Sequence, residues 1–157
     1  VRQVNILMKH ELSKALIELE EKLEVPEDTV VKGNINSLVQ VVNNIISNAI
    51  QAYDGKPGEK IILDIYKEKD NLIFKIQDFA GGLPSTVKSK LFKEMVTTKG
   101  KNGTGLGLFM SYSNIRAHFN GDIRFDSRKG KGTTFYIEIP YGGRRTEVGS
   151  WKIGIRK

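Results

Sequence analysis

The sequence predicts an α+β fold: a two-layer sandwich in which a mixed, mostly antiparallel sheet carries helices on one face. Three observations support this. Residues 38–49 repeat apolar side chains at helical spacing. Two pairs of strand-like runs fold about short turns at 69–71 and 129–132. Helices alternate with hairpins rather than with single strands, which favours an antiparallel sheet packed on one side.

The elements follow in order. Val4, Met8, Leu12, Ala15, Leu16, Leu19 and Leu23 recur at helical spacing, so a helix is predicted over 2–22, ended by Pro26. Asn34 or Asn36 can cap a second helix that runs to about Tyr53 and stops before Asp54-Gly55. Residues 61–66 and 72–78 form a hairpin about Lys69-Asp70-Asn71. A short helix is predicted from Pro84-Ser85 to about Phe92, followed by a mobile, lysine-bearing loop over 93–104. A further helix runs from about Gly105 to Phe119 and ends at Asn120-Gly121. Residues 123–125 and 133–139 make the second hairpin about Lys129-Gly130-Lys131-Gly132, and Pro140 closes the sheet. One domain is expected over 1–140, with 1–33 as a helix and lead-in and 141–157 as a tail.

Composition narrows the class. A chain of 157 residues suffices for one core, and 39% apolar with 27% charged residues is ordinary for a soluble globule. No apolar run approaches the roughly 20 residues of a membrane helix, and the first residues do not make a signal peptide, so a cytoplasmic chain is expected. The absence of cysteine excludes disulfides and thiolate metal sites. The net charge of +7 comes from scattered lysines without interleaved aromatics. Nucleic acid is therefore not the expected partner, whereas an anionic small ligand suits the charge.

Four pieces of sequence carry candidate chemistry. The second helix opposes its apolar stripe with Gln40, Asn44, Ser47, Asn48 and Gln51, none of them charged. Asn44 and Asn48 lie one turn apart on one face. Their amide oxygens suit either a solvated face or a Mg²⁺ ion already neutralised by phosphates. Asp78 ends an apolar strand before Gly81-Gly82. It is either a turn residue or an acceptor for an exocyclic amine such as that of adenine, with Gly82 letting backbone approach the base. Gly103-Thr104-Gly105-Leu106-Gly107-Leu108 opens a helix, where N–H groups point at an anion. Lys99 and Lys101 precede it, as phosphate contacts or as solubilising charges. Thr133 leaves the turn Gly130-Lys131-Gly132, where its hydroxyl could touch a base.

In this order the pieces resemble the ATP-binding catalytic domain of sensor histidine kinases, within the wider superfamily of Hsp90-type chaperones, type II topoisomerases and mismatch-repair ATPases. Residues 44–49 are similar to the N box, and 78–84 to the first glycine box. Residues 91–99 are similar to the F box, 103–108 to the second glycine box and 130–135 to the third. The resemblance spans roughly 34–140 and implies a Bergerat-type fold with an ATP lid. It implies that Asn48 coordinates Mg²⁺, that Asn44 supports the metal and phosphates, and that Asp78 binds the adenine amine. It further implies that Gly82 lines the base and Thr133 lies near it. Gln51 stands where many relatives place a basic residue on the phosphates. Lys99 and Gly103, Thr104, Gly105, Leu106, Gly107 and Leu108 would form the lid and hold phosphate. Asn44 and Lys99 are the catalytic candidates.

The hydrolysing relatives place a Glu at the position of Asn44, four residues before the metal asparagine. An amide cannot take a proton at neutral pH, so transfer is favoured over hydrolysis. The expected activity is that of a two-component histidine kinase catalytic domain, passing the γ-phosphoryl of Mg-ATP to a histidine on a separate dimerisation domain. A response regulator would follow. His10-Glu11 resembles the acceptor pattern, but the interval to Asn44 is too short for an acceptor domain, and His118 ends a helix. No phosphoacceptor is therefore assigned. The fragment is expected to be monomeric and its parent homodimeric, with membrane attachment of the parent left open. Two alternatives stand beside this reading. One is a stand-alone serine kinase of the anti-sigma type. The other is a non-catalytic nucleotide-binding or docking module, motivated by Ala80 in place of a glycine and by Lys93-Glu94-Met95 in the F box.

Overall fold

The computed structural model describes residues 13–14, 16–25, 30–32, 34–83, 104–140 and 150–152. The strands are β1 (Glu18–Glu24), β2 (Val30–Lys32), β3 (Lys60–Glu68), β4 (Asn71–Asp78), β5 (Asp122–Arg128), β6 (Gly132–Pro140) and β7 (Ser150–Lys152). The helices are α1 (Ile35–Ala52) and α2 (Thr104–Phe119). A five-stranded sheet runs β1-β3-β4-β6-β5, parallel between β1 and β3 and antiparallel elsewhere. This is the α+β sandwich that the sequence predicts. The predicted short helix after Pro84 and residues 93–103 of the loop predicted over 93–104 lie outside the described residues, and Thr104 already belongs to the helix that follows.

Alternation along the strands builds the core. Ile61, Leu63 and Ile65 of β3 pair with Asp78, Ile76 and Phe74 of β4, and these residues share one buried face. Ile76 and Phe74 continue to Phe135 and Ile137 of β6, and those to Phe125 and Ile123 of β5. Helix α1 lays Leu38, Val41, Val42, Ile45, Ile46 and Ala49 on this face, and α2 adds Ile115 and Phe119. Each buried Leu, Val, Ile or Phe side chain among these contributes about 1.5–3 kcal/mol. The two helices also pack on each other, so Asn44 of α1 meets a neighbour on the second helix. Asn34 caps α1, its Oδ1 accepting the N–H of Asn36 at 2.9 Å. Helix α2 stops where Asn120 takes a φ of 51°.

The N-terminal helix predicted over 2–22 is corrected at its C-terminal end. Residues 18–24 are strand β1, residues 13–14 are helical, and 1–12 lie outside the described set. Ile17, Leu19, Leu23 and Val25 also fit a period of two, and that period wins because β3 offers an edge. Leu19 pairs with Ile61 and Leu23 with Ile65, and both pack against the core. Leu16, counted in the predicted apolar stripe, is instead 66% exposed. Within the segment assigned to the C-terminal tail, β7 pairs antiparallel with β2, Trp151 opposite Val31.

Candidate functional site

One end of the sheet gathers the two described glycine segments. Asp78 is the last residue of β4, and its side chain turns to the core side at 5% exposure. Its Oδ1 accepts the N–H of Ala80 at 3.0 Å and the N–H of Thr133, on β6, at 3.2 Å. The Gly81 carbonyl accepts the N–H of Gly130 at 2.9 Å, which ties the first glycine segment to the third. Ser127 Oγ accepts the N–H of Leu83 at 2.7 Å and shares a hydrogen bond with Thr133 Oγ1 at 2.9 Å.

The glycines are required by protein packing at two of these points. A Cβ on Gly82, at φ +83°, would lie 2.6 Å from the Arg128 carbonyl oxygen. A Cβ on Gly132, at φ +121°, would collide with the carbonyl group of Asp78. The close approach of backbone at Gly82 is therefore to β5.

Burial raises the pKa of Asp78 above the ordinary aspartate range, and the hydrogen bonds from Ala80 and Thr133 oppose that rise. Both bonds fall on Oδ1; among the described residues Oδ2 has no hydrogen-bond partner. The arrangement is a rigid, partly desolvated acceptor at the end of the sheet, suited to a neutral N–H donor of a ligand.

Helix α1 supplies the amides. Asn44 Nδ2 donates to Ser111 Oγ at 3.2 Å, and Ser111 is fully buried on α2. Asn44 is thus bound to the helix that the second glycine run opens. The Nδ2 of Asn48 and the Oδ1 of Asn43 are buried, with no hydrogen-bond partner among the described residues. Gln51 is exposed. Residues 104–108 form the first turn of α2, and their side chains lie outside the described set, as do Lys99 and Gly103 altogether.

The structure therefore brings Asp78 and Thr133 into direct contact and fixes Asn44 through Ser111. Sequence reasoning missed Tyr53, Ser111 and Ser127. Ser127 had a usable signal, because it continues the inward period Ile123, Phe125 along β5. Tyr53 ends α1 at 2% exposure, and a buried tyrosine hydroxyl needs a partner.

An Asp at a strand end against glycine segments, a helix of amides and a glycine-opened second helix together define a nucleotide-binding domain of the type inferred from sequence. Residues 33–143 match the family described as Histidine kinase-, DNA gyrase B-, and HSP90-like ATPase, and the chain belongs to that family. Membership implies ATP binding. Among curated relatives, sporulation kinase C of Bacillus subtilis (strain 168) is 28% identical over 89% of this chain and 32% of its own length. Sensor histidine kinase WalK of the same organism is 34% identical over 73% of this chain and 19% of its own. The catalytic domain of histidine kinase ThkA, solved without nucleotide, superposes with a TM-score of 0.73 at 28% identity, over 88% of each chain. The chain thus spans about a third or less of the curated relatives named. Among the described residues no helix is long and apolar enough to cross a membrane.

Proposed function

We propose that this chain binds Mg-ATP at the end of the sheet and passes the γ-phosphoryl group to a histidine of a separate dimerisation domain, from which a response regulator is charged. The observation that carries the reading is Asp78: a buried carboxylate with one oxygen held by two backbone N–H groups and the other left as an acceptor. In this role Oδ2 takes the adenine amine, and Thr133 with Ser127 closes the base edge. Asn44 and Asn48 face the phosphates, with Lys99 and 103–108 as the lid.

The residues present fit a divalent cation in one respect. Asn48 buries an amide nitrogen that has no partner among the described residues, a donor suited to a phosphate oxygen, and the oxygen of the same amide is of the type that would hold the cation. Those residues contain no cluster of three or more His, Cys, Asp or Glu, so amide and phosphate oxygens would be the ligands. When bound, Mg²⁺ neutralises phosphate charge. The chain's own part is orientation. Asn44, held by Ser111, offers no base to activate water, which leaves the phosphoryl group for a positioned imidazole. The P–O bond to the β-phosphate breaks, a P–N bond to the acceptor histidine forms, and ADP departs.

The test uses the chain with γ-labelled ATP and a separately prepared histidine-bearing dimerisation domain of its parent. Acid-labile label on that domain, absent with Asp78→Asn, is the expected result. Label released only as inorganic phosphate would contradict the reading. Label on a serine of a partner would favour the anti-sigma alternative, which the named relatives do not support.

A further inference from the structure

Tyr53 sits immediately after α1, with its ring in the core at 2% exposure. Its hydroxyl donates to the Lys60 carbonyl at 2.6 Å and accepts the N–H of Phe79 at 2.7 Å. Burial raises the pKa of this phenol, which keeps the donating proton in place. The Phe79 N–H belongs to the peptide unit whose carbonyl is that of Asp78. On the carbonyl side the same unit packs against Gly132, where a Cβ would collide with it. The Asp78–Phe79 peptide is thus gripped on both sides, by a hydroxyl from α1 and by the bare Cα of Gly132 from β6.

A peptide plane held in this way fixes the Cα atoms on either side of it, and the pairing of Asp78 with Ile61 in the sheet holds the remaining torsion that sets the direction of the Asp78 Cα–Cβ bond. The N–H of Ala80, in the next peptide unit, is one of the two donors to Asp78 Oδ1. We propose that Tyr53 is a positioning residue for base recognition: its hydroxyl, through the Asp78–Phe79 peptide, aims the Asp78 carboxylate at the exocyclic amine of adenine. This rests on the reading of Asp78 as the adenine acceptor. It adds that the asparagine helix, through the residue at its end, sets the geometry of the base end of the pocket as well as the phosphate end.

Tyr53→Phe removes the hydroxyl and keeps the ring. Two readouts test it, with Ile139→Val as a matched core truncation, since Ile139 pairs with Leu72 at the far end of the sheet. The first readout is amide hydrogen exchange in the nucleotide-free chain. The expected result is exchange at Phe79, Ala80 and Thr133 about tenfold faster in Tyr53→Phe, with the central amides of β4 unchanged and no such local effect in Ile139→Val. The second is selectivity, measured as the ratio of affinities for ATP and for purine riboside triphosphate, which lacks the exocyclic amine. Tyr53→Phe is expected to weaken ATP about tenfold and to narrow that ratio by the same factor. Equal weakening of both nucleotides, or no change in the ratio, would overturn the proposal and leave Tyr53 a structural cap. If the unaltered chain binds neither nucleotide, the nucleotide reading fails by itself. Exchange at Ala80 and Thr133 then still decides whether Tyr53 orders Asp78.

Discussion

Asp78 Oδ1 accepts the backbone N–H of Thr133 at 3.2 Å, one rung beyond Gln77 and Thr134, the last backbone pair between β4 and β6. A side chain therefore extends the ladder at the site end of the sheet. Asp78→Asn retains a carbonyl oxygen for the Thr133 and Ala80 N–H groups but replaces the second acceptor, Oδ2, with a donor. The expected outcome is ATP affinity lowered about 10- to 100-fold, the worth of one charge-assisted hydrogen bond, with a cooperative unfolding transition retained. Calorimetric titration and thermal unfolding on one preparation check both halves.

The protonation of Asp78 moves binding and stability in opposite directions. Burial raises its folded pKa, so the folded chain holds this proton more tightly than the unfolded chain does. Stability associated with the neutral form is lost as pH rises through the folded value. Asp78→Asn is neutral at every pH. It should match the unaltered chain below about pH 4 and be more stable than it at neutral pH. ATP affinity of the unaltered chain should instead fall as pH is lowered through the same raised value. Urea unfolding of both chains and nucleotide titration across this range check the two signs.

Much of this arrangement was legible in the sequence because it is local. The face of α1, the two hairpins and the place of Asp78 at a strand end all follow from periodicity and turn residues within a short window. Strand β1 was not legible. Glu18-Leu19-Glu20-Glu21-Lys22-Leu23-Glu24 is made of good helix formers, and only the free edge of β3 selects the extended form. The partners within the site were hidden for the same reason. Tyr53 meets Phe79 across 26 residues and Asn44 meets Ser111 across 67, distances over which no local pattern carries information.

The contact between the glycine segments makes a sharp prediction about stability. Gly132→Ala places a methyl against the Asp78 carbonyl at a φ of +121°, and should cost about 2–3 kcal/mol or more. Gly130→Ala, at φ +79° with nothing within 4 Å of its Cβ, should cost only about 1 kcal/mol. Paired urea melts distinguish them, and similar losses would mean that the packing of Gly132 on Asp78 is unimportant.

The bridge between the helices is measurable as a coupling. Ser111→Ala leaves Asn44 Nδ2 without its described acceptor and should cost about 1–2 kcal/mol. In a double-mutant cycle with Asn44→Ala the two losses should fall short of additivity by about 1 kcal/mol. Additive losses would show that Asn44 is not held by Ser111.

The most direct measurement is calorimetric titration of the chain with ATP, with and without Mg²⁺, beside Asp78→Asn. Saturable binding that Mg²⁺ strengthens and Asp78→Asn abolishes or severely weakens is the predicted result. Binding indifferent to Asp78→Asn, or no binding at millimolar ATP, would contradict the assignment of the sheet end as the adenine pocket.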